Sequence, residues 1–75
     1  MTPHLQKRSL SLNGHRTSVA LEPAFWSVLE QAASQQGQSL AGLVATQDAT
    51  RADPDQPLAS HLRVFALAWA GQGKG

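Results

Sequence analysis

The sequence predicts a mainly α-helical domain fronted by a short β ribbon. Three observations carry that reading. Two runs of alternating polar and apolar residues are joined by Asn13-Gly14. Helical punctuation follows, with Pro23, Gly37 and Ser39 in the order that starts one helix, stops it and starts another. Near the end, Leu58, Leu62, Phe65 and Trp69 repeat at the spacing of a helix seam.

The first element is a hairpin. Residues 8–12 read Arg-Ser-Leu-Ser-Leu and residues 15–21 read His-Arg-Thr-Ser-Val-Ala-Leu. Asn-Gly suits the type I′ turn, whose central residues both need positive φ. A two-residue turn sets Leu12 opposite His15 and Leu10 opposite Thr17. Leu10, Leu12, Thr17, Val19 and Leu21 then share one face, and Lys7, Ser9, Ser11, Arg16, Ser18 and Ala20 the other. One face is apolar; the other is small, polar and basic. Residues 1–6 read as a loose N-terminal end.

The helices come next. Pro23 opens the first, whose apolar stripe is Phe25, Leu29, Ala32 and Ala33, widened by Trp26 and Val28. Gly37 ends it as a left-handed cap. Ser39 caps the second, with Leu40, Leu43, Val44 and Gln47 facing inward until it fades near Thr50. "RADPDQP" (51–57) is a break in which prolines and aspartates form turns. The third helix occupies 57–70, and Val64 and Leu67 add apolar surface outside its seam. The single domain is thus 7–70, with 71–75 expected to be a flexible tail.

Composition bounds the function. A chain of 75 residues buries only about 60% of its unfolded surface, so it is marginal alone. It has no cysteine to staple it and no Cys/His cluster for a metal. Net charge is only +1, yet Lys7, Arg8 and Arg16, with His4 and His15, all precede the first acid, Glu22. A basic arm on a neutral body favours an anionic partner. No acid pair, activated nucleophile or phosphate loop is visible, which argues against an enzyme. His4, His15 and His61 form no ligand set; no metal and no cofactor is implied. The longest apolar run, Val64–Ala70, is far short of the roughly 20 residues that span a membrane. With no secretory signal read at the N-terminus, the expectation is a cytoplasmic protein.

The order strand, helix, glycine turn, helix over residues 15–50 resembles the ribbon-helix-helix repressors, the MetJ/Arc superfamily. "RTSVAL" stands as the strand, "EPAFWSVLEQAASQQG" as the first helix and "QSLAGLVATQDA" as the second. Over residues 7–70 the chain is similar to a bacterial subgroup of that family. "GHRTSVALEPAFW" before the helices and "LRVFAL" in the third carry that likeness.

The resemblance implies a homodimeric, sequence-specific DNA-binding protein, a bacterial transcriptional regulator of the repressor type. Its partners would be double-stranded DNA and a second copy of itself. It implies that Arg16, Ser18 and Ala20 point outward into the major groove, Arg16 towards guanine and Ala20 at most towards a thymine methyl. Lys7 and Arg8 would contact phosphate, and the start of the second helix at Gln38 and Ser39 would offer backbone N–H groups to another. The dimer core would hold Val19, Leu21, Phe25, Trp26, Leu29, Leu43, Leu62, Phe65 and Trp69, and strand 15–21 would cross the two-fold axis. The strand 8–12 and the third helix lie outside the family's minimal pattern. The alternative is a homodimeric protein-interaction module, antitoxin-like or adaptor, that binds a protein partner through the third helix.

Overall fold

The computed structural model describes residues 4–53 and 55–72. Its elements in order are β1 (Gln6–Leu12), β2 (His15–Leu21), α1 (Pro23–Gln35), α2 (Leu40–Ala49) and α3 (Leu58–Gln72). The two strands form one antiparallel hairpin, and the three helices pack against a single side of it.

The hairpin follows from its turn. Asn13 sits at φ 53° and Gly14 at φ 85°, the pair of positive values that a type I′ turn needs. The register sets Leu12 opposite His15, Leu10 opposite Thr17, Arg8 opposite Val19 and Ser9 opposite Ser18. β1 begins at Gln6, so the ordered strand reaches into the stretch expected to be loose. The indole Nε1–H of Trp26 donates to the Gln6 carbonyl at 2.7 Å, which ties this end of β1 to α1.

Each helix boundary has a local cause. Pro23 takes the first turn of α1, where its missing N–H costs nothing. At the other end Gly37 adopts φ 67°. There the Gln38 N–H donates to the Ala33 carbonyl at 3.0 Å and the Gly37 N–H to the Ser34 carbonyl at 3.1 Å. These two bonds make a Schellman stop. Ser39 caps α2, its Oγ accepting from the Gly42 N–H at 3.0 Å. In the loop before α3, Asp53 Oδ1 accepts from the Asp55 N–H at 2.9 Å, as expected of a turn aspartate. Arg51 spans the same loop, donating to the Gln56 carbonyl at 2.6 Å and pairing with Asp48 at 2.9 Å. α3 runs through Gly71 and Gln72, beyond the expected stop at 70; residues 73–75 of the expected tail lie outside the described residues.

The core contains Leu12, Val19 and Leu21 from the hairpin, Trp26, Leu29, Ala32 and Ala33 from α1, Leu43 and Val44 from α2, and Leu62 and Ala66 from α3. Leu21, Leu29 and Leu62 are wholly buried. The residues assigned to a dimer core lie largely within one chain's own core: Val19, Leu21, Trp26, Leu29, Leu43 and Leu62 are buried, with Phe25, Phe65 and Trp69 packed partly exposed at its margin. A single chain therefore covers its own strand. The added cover is α3, which packs on β2 while α2 packs on β1. His61 also has a partner: its ring nitrogen lies 3.2 Å from Gln47 Oε1, joining α3 to α2.

Candidate nucleic-acid interface

The uncovered side of the hairpin is built by strand alternation. With Leu12, Val19 and Leu21 turned into the core, every second residue must turn out. Lys7, Ser9 and Ser11 of β1 and Arg16 and Ser18 of β2 are exposed, and Ala20 is half-buried. The register pairs them as Lys7 with Ala20, Ser9 with Ser18, and Ser11 with Arg16. The Ser9 and Ser18 hydroxyls lie 3.3 Å apart at the centre. Lys7 and Arg16 therefore stand at diagonally opposite corners, about 13 Å apart along the strand direction.

The electrostatics distinguish this face from the rest. Of the five Lys and Arg residues described, three hold carboxylates: Arg8 with Glu30 at 2.6 Å, Arg51 with Asp48 at 2.9 Å and Arg63 with Glu22 at 3.0 Å. Lys7 and Arg16 make no ion pair among the described residues. No acid stands among the six outward residues of the hairpin. The face is thus a small, flat, hydroxyl-bearing surface with unneutralised positive charge at two corners. Such a surface attracts a polyanion and can donate hydrogen bonds to it.

A ribbon-helix-helix domain model matches residues 5–70. The chain belongs to the ribbon-helix-helix domain family. At the level of the family this is a DNA-binding regulator fold rather than a catalytic one. An uncharacterized protein from Bordetella pertussis Tohama I has a similar structure, with a TM-score of 0.74 and 36% sequence identity. The similarity covers 95% of this chain and 60% of that one, so this chain spans about 60% of the length of that relative. No curated protein matches the chain.

Within this ribbon-helix-helix domain the expected contact residues separate into three places. Arg16, Ser18, Ala20 and Lys7 come together on the outer face. Gln38 and Ser39 sit at the start of α2, where the Gln38 amide donates to Gln36 Oε1 at 2.7 Å and Ser39 is occupied as the cap. The N–H groups of Leu40 and Ala41 in that first turn have no intrahelical carbonyl to bond, so this helix start retains donors.

Arg8 is elsewhere. It pairs with Val19 in the register and so lies on the helix side of the hairpin. Its guanidinium stacks 4.8 Å from the Trp26 ring centroid, bonds Glu30 and donates to Gln6 Oε1 at 3.2 Å. The expectation that Arg8 contacts phosphate beside Lys7 is corrected, because Arg8 lies on the opposite face of the strand with its guanidinium held by Trp26 and Glu30. Ser9 and Ser11 lie on the same surface as Arg16 and Ser18, as strand alternation predicts.

Among the described residues, no group of three or more His, Cys, Asp and Glu could hold a metal ion. No helix among them is long and apolar enough to cross a membrane.

Proposed function

We propose that the protein is a bacterial, cytoplasmic transcriptional regulator, a repressor-type protein that binds double-stranded DNA sequence-specifically through the outer face of its hairpin. The carrying observation is that Lys7 and Arg16, the described cations without an ion pair, both stand on that face. Arg16 is the base-reading side chain, suited to the two acceptors of guanine in the major groove. Ser18 adds a donor or acceptor beside it, and Lys7 binds phosphate. The free N–H groups at the start of α2, next to Gln38 and Ser39, take a second phosphate.

The working form in this proposal is a homodimer. Its support is the family, together with Val64 and Leu67 on α3, which are 62% and 65% exposed and give a second copy an apolar surface. The same two residues favour the second reading, a homodimeric protein-interaction module that takes a protein partner on α3.

The test is titration of the protein into DNA from its own upstream region, at low and physiological salt, against scrambled DNA. Specific binding is expected to weaken steeply with salt, with a log–log slope of about −0.9 per phosphate contacted. Arg16→Ala is expected to lower affinity for the specific site by about 10-fold or more, leaving scrambled DNA nearly unaffected. Absence of binding to either DNA at low salt refutes the regulator and leaves the interaction module.

A further inference from the structure

Lys7 and Arg16 are held outward by different means. Arg16 stands beside the closed end of the hairpin, where the Asn13-Gly14 turn joins the strands. Lys7 stands at the open end, next to the first residue of β1. Leu12 and His15 flank the two-residue turn as a hydrogen-bonded pair, so alternation makes Lys7 and Ala20 a non-hydrogen-bonded pair. The backbone N–H and C=O of Lys7 therefore point away from β2, and its place depends on its neighbours, Gln6 and Arg8.

Both neighbours are fastened to α1. The indole N–H of Trp26 donates to the Gln6 carbonyl at 2.7 Å. The same ring supports the Arg8 guanidinium, 4.8 Å from its centroid. Arg8 in turn bonds Glu30 at 2.6 Å and donates back to Gln6 Oε1 at 3.2 Å. Trp26 is only 1% exposed, so the ring is a fixed support. One buried indole thus grips β1 on either side of Lys7. Because neighbouring strand side chains alternate, holding Arg8 towards the helices turns Lys7 to the outer face.

We propose that Trp26, Arg8 and Glu30 form a clamp that positions Lys7 for the DNA backbone. They are positioning residues: they raise affinity without touching DNA, by keeping the open end of β1 in its binding shape. This rests on the DNA-binding reading above and adds a device that preorganises it.

A frayed strand end has to be ordered on binding, and apparent affinity falls with the fraction of molecules that have it in place. Breaking the clamp can cost no more affinity than removing Lys7, because the clamp acts through Lys7. The complex, once formed, keeps the Lys7–phosphate contact. Counterion release, and with it the salt slope, therefore stays as in the wild type.

The experiment is a double-mutant cycle on the whole chain. Two variants break the clamp without altering net charge. Trp26→Phe removes the indole N–H, and Arg8→Ala/Glu30→Ala removes one charge of each sign. Each is titrated with the upstream DNA across a salt series, with Lys7 present and in the Lys7→Ala background. With Lys7 present, each is expected to lose about 2- to 5-fold in affinity at unchanged salt slope. In the Lys7→Ala background the same changes are expected to cost less than about 1.5-fold. Equal losses in both backgrounds mean general destabilisation and overturn the proposal, as does a loss in neither. Amide hydrogen exchange without DNA is expected to quicken at Gln6 in both variants and to stay unchanged at Leu12, beside the turn. Unaltered exchange at Gln6 also overturns the proposal. If Trp26→Phe fails to fold, the paired substitution of the partly exposed Arg8 and Glu30 carries the test. A wild-type chain that binds neither upstream nor scrambled DNA removes the regulator and this inference with it; one that binds while the cycle proves additive removes the clamp alone.

Discussion

Arg8→Ala separates a structural cation from a DNA-binding one. The Arg8 guanidinium lies 4.8 Å from the Trp26 centroid, a stacking worth about 0.5–1 kcal/mol at a partly exposed site. Its ion pair with Glu30 joins side chains that are 32% and 53% exposed, so solvent screening holds it to about 0.2–1 kcal/mol. Together the loss is about 1–2 kcal/mol. For a domain of this size that lowers Tm by about 5–15 °C. Thermal unfolding followed by circular dichroism measures it, and a cycle with Glu30→Ala isolates the ion pair. The same variant is then titrated with DNA across a salt series. Lys7→Ala is expected to shrink the magnitude of the salt slope by about 0.9, because it removes one phosphate contact. Arg8→Ala is expected to leave the slope unchanged. A variant with wild-type Tm and a slope reduced as in Lys7→Ala refutes the assignment of Arg8 to the helix side.

Two further outcomes test the core and its fastening. Leu62→Ala empties a fully buried position where α3 meets the core and is expected to cost about 2–5 kcal/mol; a urea midpoint unchanged from wild type shows that α3 is not part of the folded unit. Glu22 has its pKa lowered, first by its backbone hydrogen bond and then by the Arg63 guanidinium. A carboxyl depressed in the folded state stabilises the fold above its unfolded pKa, and that contribution is lost as pH falls through the folded value. Stability is thus expected to decline on acidification below the ordinary carboxylate range, and less so in Glu22→Gln. Identical acid-unfolding profiles for the two proteins remove Glu22 from the acid response.

The elements with strong local chemistry were legible in the sequence. Asn13-Gly14 fixed the hairpin register, and Pro23, Gly37 and Ser39 marked the helix boundaries because each supplies a backbone feature the boundary requires. The outer face was legible too, since alternation alone places Arg16, Ser18 and Lys7 on it. Arg8 was misplaced by giving charge priority over parity. A cation next to Lys7 reads as part of a basic arm, whereas its stacking partner, Trp26, is a helix residue 18 positions away in the sequence. Long-range partners of this kind leave no local pattern. The same holds for Arg63 with Glu22 and for His61 with Gln47. The extent of the core was misjudged for a related reason. Periodicity identified an apolar seam on α3 but not the surface it covers, so residues that pack within one chain were assigned to a dimer core.

The distribution of charge has a consequence for how this domain responds to salt. Without disulfides, the elements are fastened by three arginine–carboxylate pairs among the described residues. Arg8 holds β1 to α1, Arg63 holds α3 to the β2–α1 junction, and Arg51 holds the end of α2, bonding the Gln56 carbonyl in the loop that follows. Two of these guanidiniums also lie over rings, at 4.8 Å from Trp26 and 5.9 Å from Phe25. Solvent exposure already holds each of these pairs to a small contribution, so weakening them by salt changes the stability of the fold little. Lys7 and Arg16 have no such neighbours, and their attraction for a polyanion falls steeply as counterions compete. Raising salt therefore releases the proposed DNA ligand well before it loosens the fold. Because cations bound to carboxylates cannot also neutralise phosphates, the salt slope of each chain should reflect Lys7, Arg16 and the α2 helix start rather than its total of basic residues.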